Sequence, residues 1–336
     1  MLSDRRQRVL AALIEEYVAR ALPVGSRTLT ERYQLGVSPA TVRNELSVLE
    51  DGGYITQPHT SAGRVPTDFG YRAFVDDLLK TGIACDDERS RHVVEQLRSS
   101  ASELDGLLEK TSSALSKLTD CLSIVLAPSV LNMRIRQITL VSLSARRALV
   151  VVVTEDGQVF NRQMDFSEDV ASEDLAAVQR LLNEVLLGKT IREVEEGLAQ
   201  GMYEAFRSPL VRMALDEVLS CLQESDRSRA HRLGIGSLLS KPEFSQSESV
   251  VPVLKALDDD TVLLHIFDEA AHAGDGPCIR IGSENADEAL SGVSVVASSY
   301  GRGRAQGVVA VIGPTRMDYS RVIQAVRIAR DALGDA

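Results

Sequence analysis

Arg43 and Asn44 are the residues whose types and spacing best suit a defined chemistry, and that chemistry is hydrogen bonding to base edges. A guanidinium fork matches guanine O6 and N7, and a carboxamide matches adenine N6 and N7, so the pair can read a major groove. At 100° per residue, Ala40, Arg43, Asn44 and Ser47 share one side of a helix, while Val42, Glu45, Leu46 and Leu49 share the other. The first side has no bulky apolar residue to bury. An ordinary solvated helix face has the same pattern, so the surrounding elements must decide.

Those elements fit a reading helix. Ser38 can cap its start, Pro39 occupies the first helical position where a missing N–H costs nothing, and Val37 can staple onto Val42. Gly52-Gly53 stops it. Upstream, Ser3 is placed to cap a helix whose stripe is Val9, Leu10, Leu13, Ile14, Tyr17 and Val18, and Pro23 and Gly25 end that segment. Ser26 is placed to cap a second helix, Arg27 to Tyr33, and Gln34 to Val37 makes a tight turn. Helix, turn and helix form the DNA-binding pattern. Tyr54 to Pro58 and Arg64 to Pro66 then predict a hairpin, or wing. A polar hairpin alone would be an ordinary surface feature. Beside a capped reading helix, it predicts that Arg27, His59, Thr60, Ser61 and Arg64 hold phosphates or a minor groove, with Ser38, Thr41 and Ser47 supporting the base contacts.

The overall charge is −11, which argues against a nucleic-acid partner because phosphate neutralisation supplies most nonspecific affinity. The distribution of that charge argues the other way. Residues 1–75 hold nine arginines against eight carboxylates, so the acidity lies in the remainder. A near-neutral head on an acidic body predicts weak nonspecific binding and reliance on a paired grip. The N-terminus leads straight into an amphipathic helix and no apolar run approaches a membrane span, so a cytoplasmic protein with no membrane partner is expected. Cys85, Cys121, Cys221 and Cys278 are too dispersed to signal a disulfide framework or a zinc ribbon.

Beyond the head, Tyr71 to Leu79 reads as a joining helix, Lys80 to Ala84 as a break, and Asp86 to about Asp120 as a long helical region. Its leucine repeat is too irregular for a sustained coiled coil, so packing on its own sheet is favoured. Leu122 to Leu126 is a buried strand. Ile138 to Leu143, Ala148 to Thr154 and Val159 to Met164 form a meander, with Asp156-Gly157 as a hairpin signal. Helices follow at Ser172 to Leu187, Ile191 to Ala199 and about Met202 to Glu224. The charged segment Gln223 to Arg232 ends that block, and Ser240-Lys241-Pro242 and Ser245 to Ser249 read as surface loop or linker. Strands at Val262 to Phe267, Cys278 to Gly282, Val293 to Ser299 and Ala305 to Ile312, closed by a helix from Tyr319 to Leu333, give an α+β body.

No catalytic or metal constellation emerges. Asp258-Asp259-Asp260 lacks the alternating spacing of a calcium loop, and His92, His231, His265 and His272 have no paired ligands. Tyr300 to Arg304 lies between strands, where a hairpin turn explains its glycines better than a phosphate cradle does. No nucleophile elbow is visible. A non-enzyme without cofactor or metal is the expectation.

The run Val37 to Leu46, with Gly53-Tyr54-Ile55, Pro58 to Thr67 and Gly70-Tyr71-Arg72, resembles the HrcA family of bacterial heat-inducible transcription repressors. So do Ile281 to Asn285, Ser294 to Gly301, and Gly313-Pro314-Thr315-Arg316-Met317-Asp318-Tyr319 near the other end. The resemblance implies a multi-domain chain: a winged helix-turn-helix, mainly α with a β wing, followed by an α+β GAF-like domain that an inserted α+β dimerisation domain interrupts. The divisions expected are 1–75 for the DNA-binding head, 76–132 for the linker helix and first GAF-like part, 133–235 for the insertion and 236–336 for the second GAF-like part. Whether the meander belongs to the insertion or to the GAF-like sheet stays open. Also implied are a homodimer on the CIRCE inverted repeat in double-stranded DNA and control by the GroEL chaperonin. A small-molecule-controlled regulator, with the GAF-like domain as sensor, is the alternative, and an enzyme domain fused to a DNA-binding head is a third reading without sequence support.

Overall fold

The computed structural model describes residues 2–59, 62–82, 94–95, 104–155, 157–199, 208–227, 230–244, 247–258, 266, 269–270, 276–302 and 305–334. Its mixed α and β elements fall into two compact units. One comprises Met1–Val125, His231–Tyr300 and Val308–Ala336, and the other Leu126–Ala230 with Gly301–Gly307.

The first unit opens with α1 (Asp4–Arg20), α2 (Ser26–Arg32) and α3 (Pro39–Asp51), then a hairpin of β1 (Ile55–Thr56) and β2 (Val65–Pro66), then α4 (Asp68–Thr81). Val9, Leu13, Leu29, Val42, Leu46, Leu49 and Val75 are fully buried and form the apolar core of this head. Two expected caps are corrected. Ser3 stands at the N-cap of α1, where its carbonyl accepts from Gln7 N, but its hydroxyl makes no capping bond. Gly25, in extended conformation, occupies the N-cap of α2, so Ser26 is already the first helical residue. The first helix also stops earlier than Pro23, through Ala21 in the left-handed region at φ 57°.

The rest of this unit is built on a five-stranded sheet ordered β7-β3-β10-β9-β8, from β3 (Leu122–Leu126), β7 (Ala230–Leu233), β8 (Cys278–Ile281), β9 (Val293–Arg302) and β10 (Ala305–Pro314). Strands from before and after the 126–230 segment thus share one sheet. The helices α5 (Leu104–Thr119) and α11 (Tyr319–Leu333) pack against each other. Buried Ser123 donates to the Ser112 carbonyl at 2.7 Å, tying β3 to α5 without leaving a polar group orphaned. Of the long helix expected from Asp86, residues 83–93 and 96–103 lie outside the described residues, as do Asp156 and most of the Val262–Phe267 strand; Ile266 from that segment is helical.

Two corrections concern the connecting region. The charged segment read only as a helix end contains β7, and the serine-rich segment read as linker starts α10 (Ser247–Asp258). Four residues at a sheet edge carry no long alternating pattern, and edge strands tolerate His231 and Arg232. In α10, Val253, Ala256 and Leu257 are buried and set the helix despite Pro252. A short α9 (Ile235–Leu239) lies between them.

The second unit holds the meander as a sheet of its own, β4 (Ile135–Ser144), β5 (Arg147–Thr154) and β6 (Val159–Asp165), with α6 (Ser172–Leu186), α7 (Ile191–Ala199) and α8 (Pro209–Arg227). The meander therefore belongs to this unit and not to the five-stranded sheet. Ile138, Val150, Val152, Leu182, Leu186, Val194 and Val218 join one apolar cluster. Asn183 and Gln179 of α6 accept from Ile138 N and Leu140 N at 2.9 and 2.8 Å, so α6 satisfies part of the β4 edge.

Candidate nucleic-acid interface

The start of α3 is fixed by Ser38, whose Oγ accepts from Thr41 N at 3.2 Å and lies 3.0 Å from Thr41 Oγ1. Pro39 follows at the first helical position. Val42, Leu46 and Leu49 are completely buried, and this orients the helix: Ala40, Arg43, Asn44 and Ser47 are exposed, with Thr41 half-buried. Among the described residues neither Arg43 nor Asn44 has a side-chain partner, so both are free to meet a ligand.

Most of the remaining arginines of the head behave differently. Arg6 Nε donates to Glu45 Oε2 at 3.0 Å, and Arg5 stands 3.7 Å from the same carboxylate. Buried Glu16 receives Arg20 and Arg32 at 3.0 and 3.3 Å. Arg8 Nη2 donates to the Leu35 carbonyl, bracing the turn before α3. Arg64 Nη2 lies 2.9 Å from Glu50 Oε2, and its backbone pairs with Val24. Arg72 is held by Glu284. Arg27, exposed on α2, and Arg43 remain without an intramolecular partner among the described residues. Counting charge along the chain cannot reveal this division, because the partners are distant in sequence.

The hairpin is a close-fitting element. Ile55 pairs with Pro66 and Thr56 with Val65. Its loop closes through Ala62 N to the His59 carbonyl at 2.8 Å and Gln57 Nε2 to the Ala62 carbonyl at 2.8 Å. Gly63 passes so near the α1–α2 connection that a Cβ would meet Val24 and Pro23 backbone atoms at 2.6–2.7 Å. His59 is exposed; Thr60 and Ser61 lie outside the described residues. Arg64 is half-buried and committed to Glu50, so it joins the wing to α3.

Sequence reasoning overlooked Val48. It is 41% exposed on α3, one turn beyond Asn44, and an exposed methyl group there can meet a thymine methyl. Extending the helical wheel by one turn would have found it.

Among the described residues no three His, Cys, Asp or Glu side chains group as a metal site, and no helix is long and apolar enough to cross a membrane. A cavity of about 440 Å³ lies in the first unit, lined by Ile266, Glu269, Cys278, Arg280, Leu290 and Val295 among others. Arg280 there is spent on Glu269 in a two-pronged pair at 2.9 and 2.7 Å.

Comparisons with known proteins converge. The profile of the family described as HrcA protein C terminal domain matches residues 105–323. A protein of Streptomyces avermitilis, named heat-inducible transcription repressor HrcA, is 40% identical over 338 residues, covering 99% of this chain and 98% of its own. One of the same name from Desulforudis audaxviator is 34% identical over 323 residues, covering 96% and 94%. A crystal structure titled as a hypothetical protein at 2.2 Å resolution superposes with a TM-score of 0.70 at 26% identity, covering 100% of this chain and 98% of that one. On these matches, spanning head and body alike, the chain belongs to the HrcA family of heat-inducible transcription repressors.

Proposed function

We propose that the chain is a sequence-specific DNA-binding repressor of heat-shock chaperone operons, and that α3 is its reading helix. The observation that carries this reading is the outer face of α3, where Arg43 and Asn44 stand exposed and unpartnered among the described residues while Arg5, Arg6, Arg20, Arg32, Arg64 and Arg72 are held by carboxylates of the same chain. In this reading α1 to α3 with the β1–β2 hairpin form a winged helix-turn-helix. Arg43 and Asn44 contact base edges, Ala40 and Val48 allow close approach, and Ser38, Thr41 and Ser47 support. Arg27, His59, Thr60 and Ser61 hold phosphates or the wing groove, and Arg64 anchors the wing.

Recognition is by a homodimer on the CIRCE inverted repeat, because a head with this little free positive charge needs a second copy. The 126–230 segment is the dimerisation unit in this reading, and the five-stranded sheet is the GAF-like body. Support comes from the outer face of the β4-β5-β6 sheet, where Val141, Leu149, Val151, Val153 and Val159 alternate with the residues buried beneath. Control by the GroEL chaperonin follows the family. It is supported by a sheet whose neighbours β3 and β10 close around the whole inserted segment, a non-local pairing that folds slowly. Chaperonin that holds the repressor in its active fold, and is drawn away by heat-damaged clients, acts by mass action.

The test is footprinting on a CIRCE duplex with refolded protein, with and without chaperonin. A twofold protected site whose occupancy rises with chaperonin supports both parts. A footprint indifferent to chaperonin removes the control mechanism and leaves the DNA reading. The 440 Å³ cavity favours a second reading, in which a small ligand biases the body.

A further inference from the structure

The last helix of the head is fastened to the sheet by a network that reading DNA does not itself require. Arg72 on α4 donates from Nε to Glu284 Oε1 at 2.7 Å and from Nη2 to the Ile279 carbonyl at 2.7 Å, and Nη2 also meets Glu284 Oε2. One turn earlier, Asp68 Oδ2 accepts from both Ser283 N and Ser283 Oγ at 2.9 Å. The receiving turn is shaped for this. Gly282 sits at φ 54°, and a Cβ there would fall within 2.3–2.5 Å of the Asp68 carboxylate. Glu284 Oε2 accepts from Ile281 N, and Asn285 Nδ2 donates to the Gly282, Leu290 and Val293 carbonyls at 2.8–3.0 Å, which braces the turn from behind.

A second fastening lies at the far end of α1. Arg316 Nη1 donates to the Val18 carbonyl at 2.7 Å, one of the last-turn carbonyls a helix cannot satisfy itself, while its Nε is held by Glu243 at 2.6 Å. The Tyr71 and Tyr319 rings also meet, tilted at 48° with centroids 5.7 Å apart. Apolar contact alone would let the head slide. A planar guanidinium held on two carboxylate oxygens and a carbonyl admits one orientation.

We infer that Arg72 and Asp68 are positioning residues for operator recognition: they clamp the head to the sheet in one orientation and so set the half-site spacing that a dimer accepts. This rests on the DNA-reading proposal above. The physical link is that two reading helices must enter grooves on one duplex, and each added base pair turns the second half-site by roughly 34°. Heads held rigidly discriminate against such a change, and loosely held heads follow it.

The experiment uses the full chain and three kinds of duplex: one CIRCE half-site, the intact inverted repeat, and repeats with one or two base pairs added to the spacer. Wild type is expected to lose about tenfold or more in affinity with the lengthened spacers. Arg72→Ala and Asp68→Ala should bind the intact repeat several-fold more weakly, bind all spacers within about threefold of each other, and bind the half-site as wild type does. Arg72→Lys, which keeps the charge on a single donor nitrogen, should recover part of the discrimination. Variants that keep wild-type spacer discrimination overturn the inference, and so does a parallel loss on the half-site, which would make the network only a support of the head's fold. If Arg72→Ala does not fold, Ser283→Ala with Asp68→Asn gives the same readout. Failure of wild type to bind the repeat at all would instead defeat the DNA-reading proposal.

Discussion

Arg64 on the hairpin meets Glu50 on α3 through both its Nε and its Nη2, at 3.0 and 2.9 Å from the same Oε2, with the two side chains only 21% and 30% exposed. The hairpin and α3 are therefore tied together as one piece. Replacing Arg64 by Ala should lower head stability by about 1–2 kcal/mol, and Glu50→Ala should cost a similar amount, with the double variant costing little more than either. Thermal melts of the four proteins give that cycle. Strictly additive losses would mean that the pair does not couple wing and helix.

Gly70 and Gly106 make opposite predictions. A Cβ on Gly70 would stand 2.0 Å from the Tyr54 carbonyl oxygen, a backbone atom that cannot yield, whereas nothing lies within 4 Å of one on Gly106. Gly70→Ala should destabilise the head by about 3 kcal/mol or more. Gly106→Ala, inside α5, should raise stability by roughly 0.5–1 kcal/mol. Differential scanning calorimetry distinguishes the two.

The outer face of the three-stranded sheet is where a dimer is proposed to form, so a charge at its centre should split it. Val151 lies on the middle strand, paired across to Thr139 and Asn161. Val151→Asp is expected to weaken self-association about a hundredfold or more while the folded circular dichroism spectrum is kept. Sedimentation equilibrium measures it. An unaltered dimer would move the interface elsewhere.

Glu284 carries a defined pH signature. Burial alone would raise its carboxyl, but hydrogen bonds from Arg72 and Ile281 N–H, with the Arg72 and Arg280 charges, outweigh that and hold it below its ordinary value of 4.5. A depressed carboxylate stabilises the folded state fully above its ordinary value, and that contribution vanishes as pH falls through the depressed one. The stability gap between wild type and Glu284→Gln should therefore be constant around neutral pH and close only in acid below 4.5. Melting both proteins across that range tests it, and a gap that closes near neutrality contradicts it.

Local chemistry was legible in the sequence and distant pairing was not. Ser38-Pro39 announced the start of α3, and the buried strand Leu122 to Leu126 and the helix Ile191 to Ala199 fell within the bounds read from the sequence. The Ser3 and Ser26 caps failed because Ser at a helix start does not oblige its hydroxyl to bond, and Gly25 can fill the cap. The edge strand Ala230–Leu233 and the serine-led helix Ser247–Asp258 were hidden by composition. What no pattern along the chain carries is the pairing of Arg6 with Glu45 or Arg72 with Glu284, and such pairs decide which arginines are left without an internal partner.

Arg43 offers the most direct test. Competition binding of wild type and Arg43→Ala to a CIRCE duplex and to duplexes with each base pair changed in turn, symmetrically in both arms, should show the variant weaker by roughly 1–3 kcal/mol and indifferent at one symmetric position where wild type discriminates. Its melting temperature should match wild type, since Arg43 has no intramolecular partner among the described residues. An Arg43→Ala protein that discriminates at every position as wild type does would contradict the assignment of α3 as the reading helix.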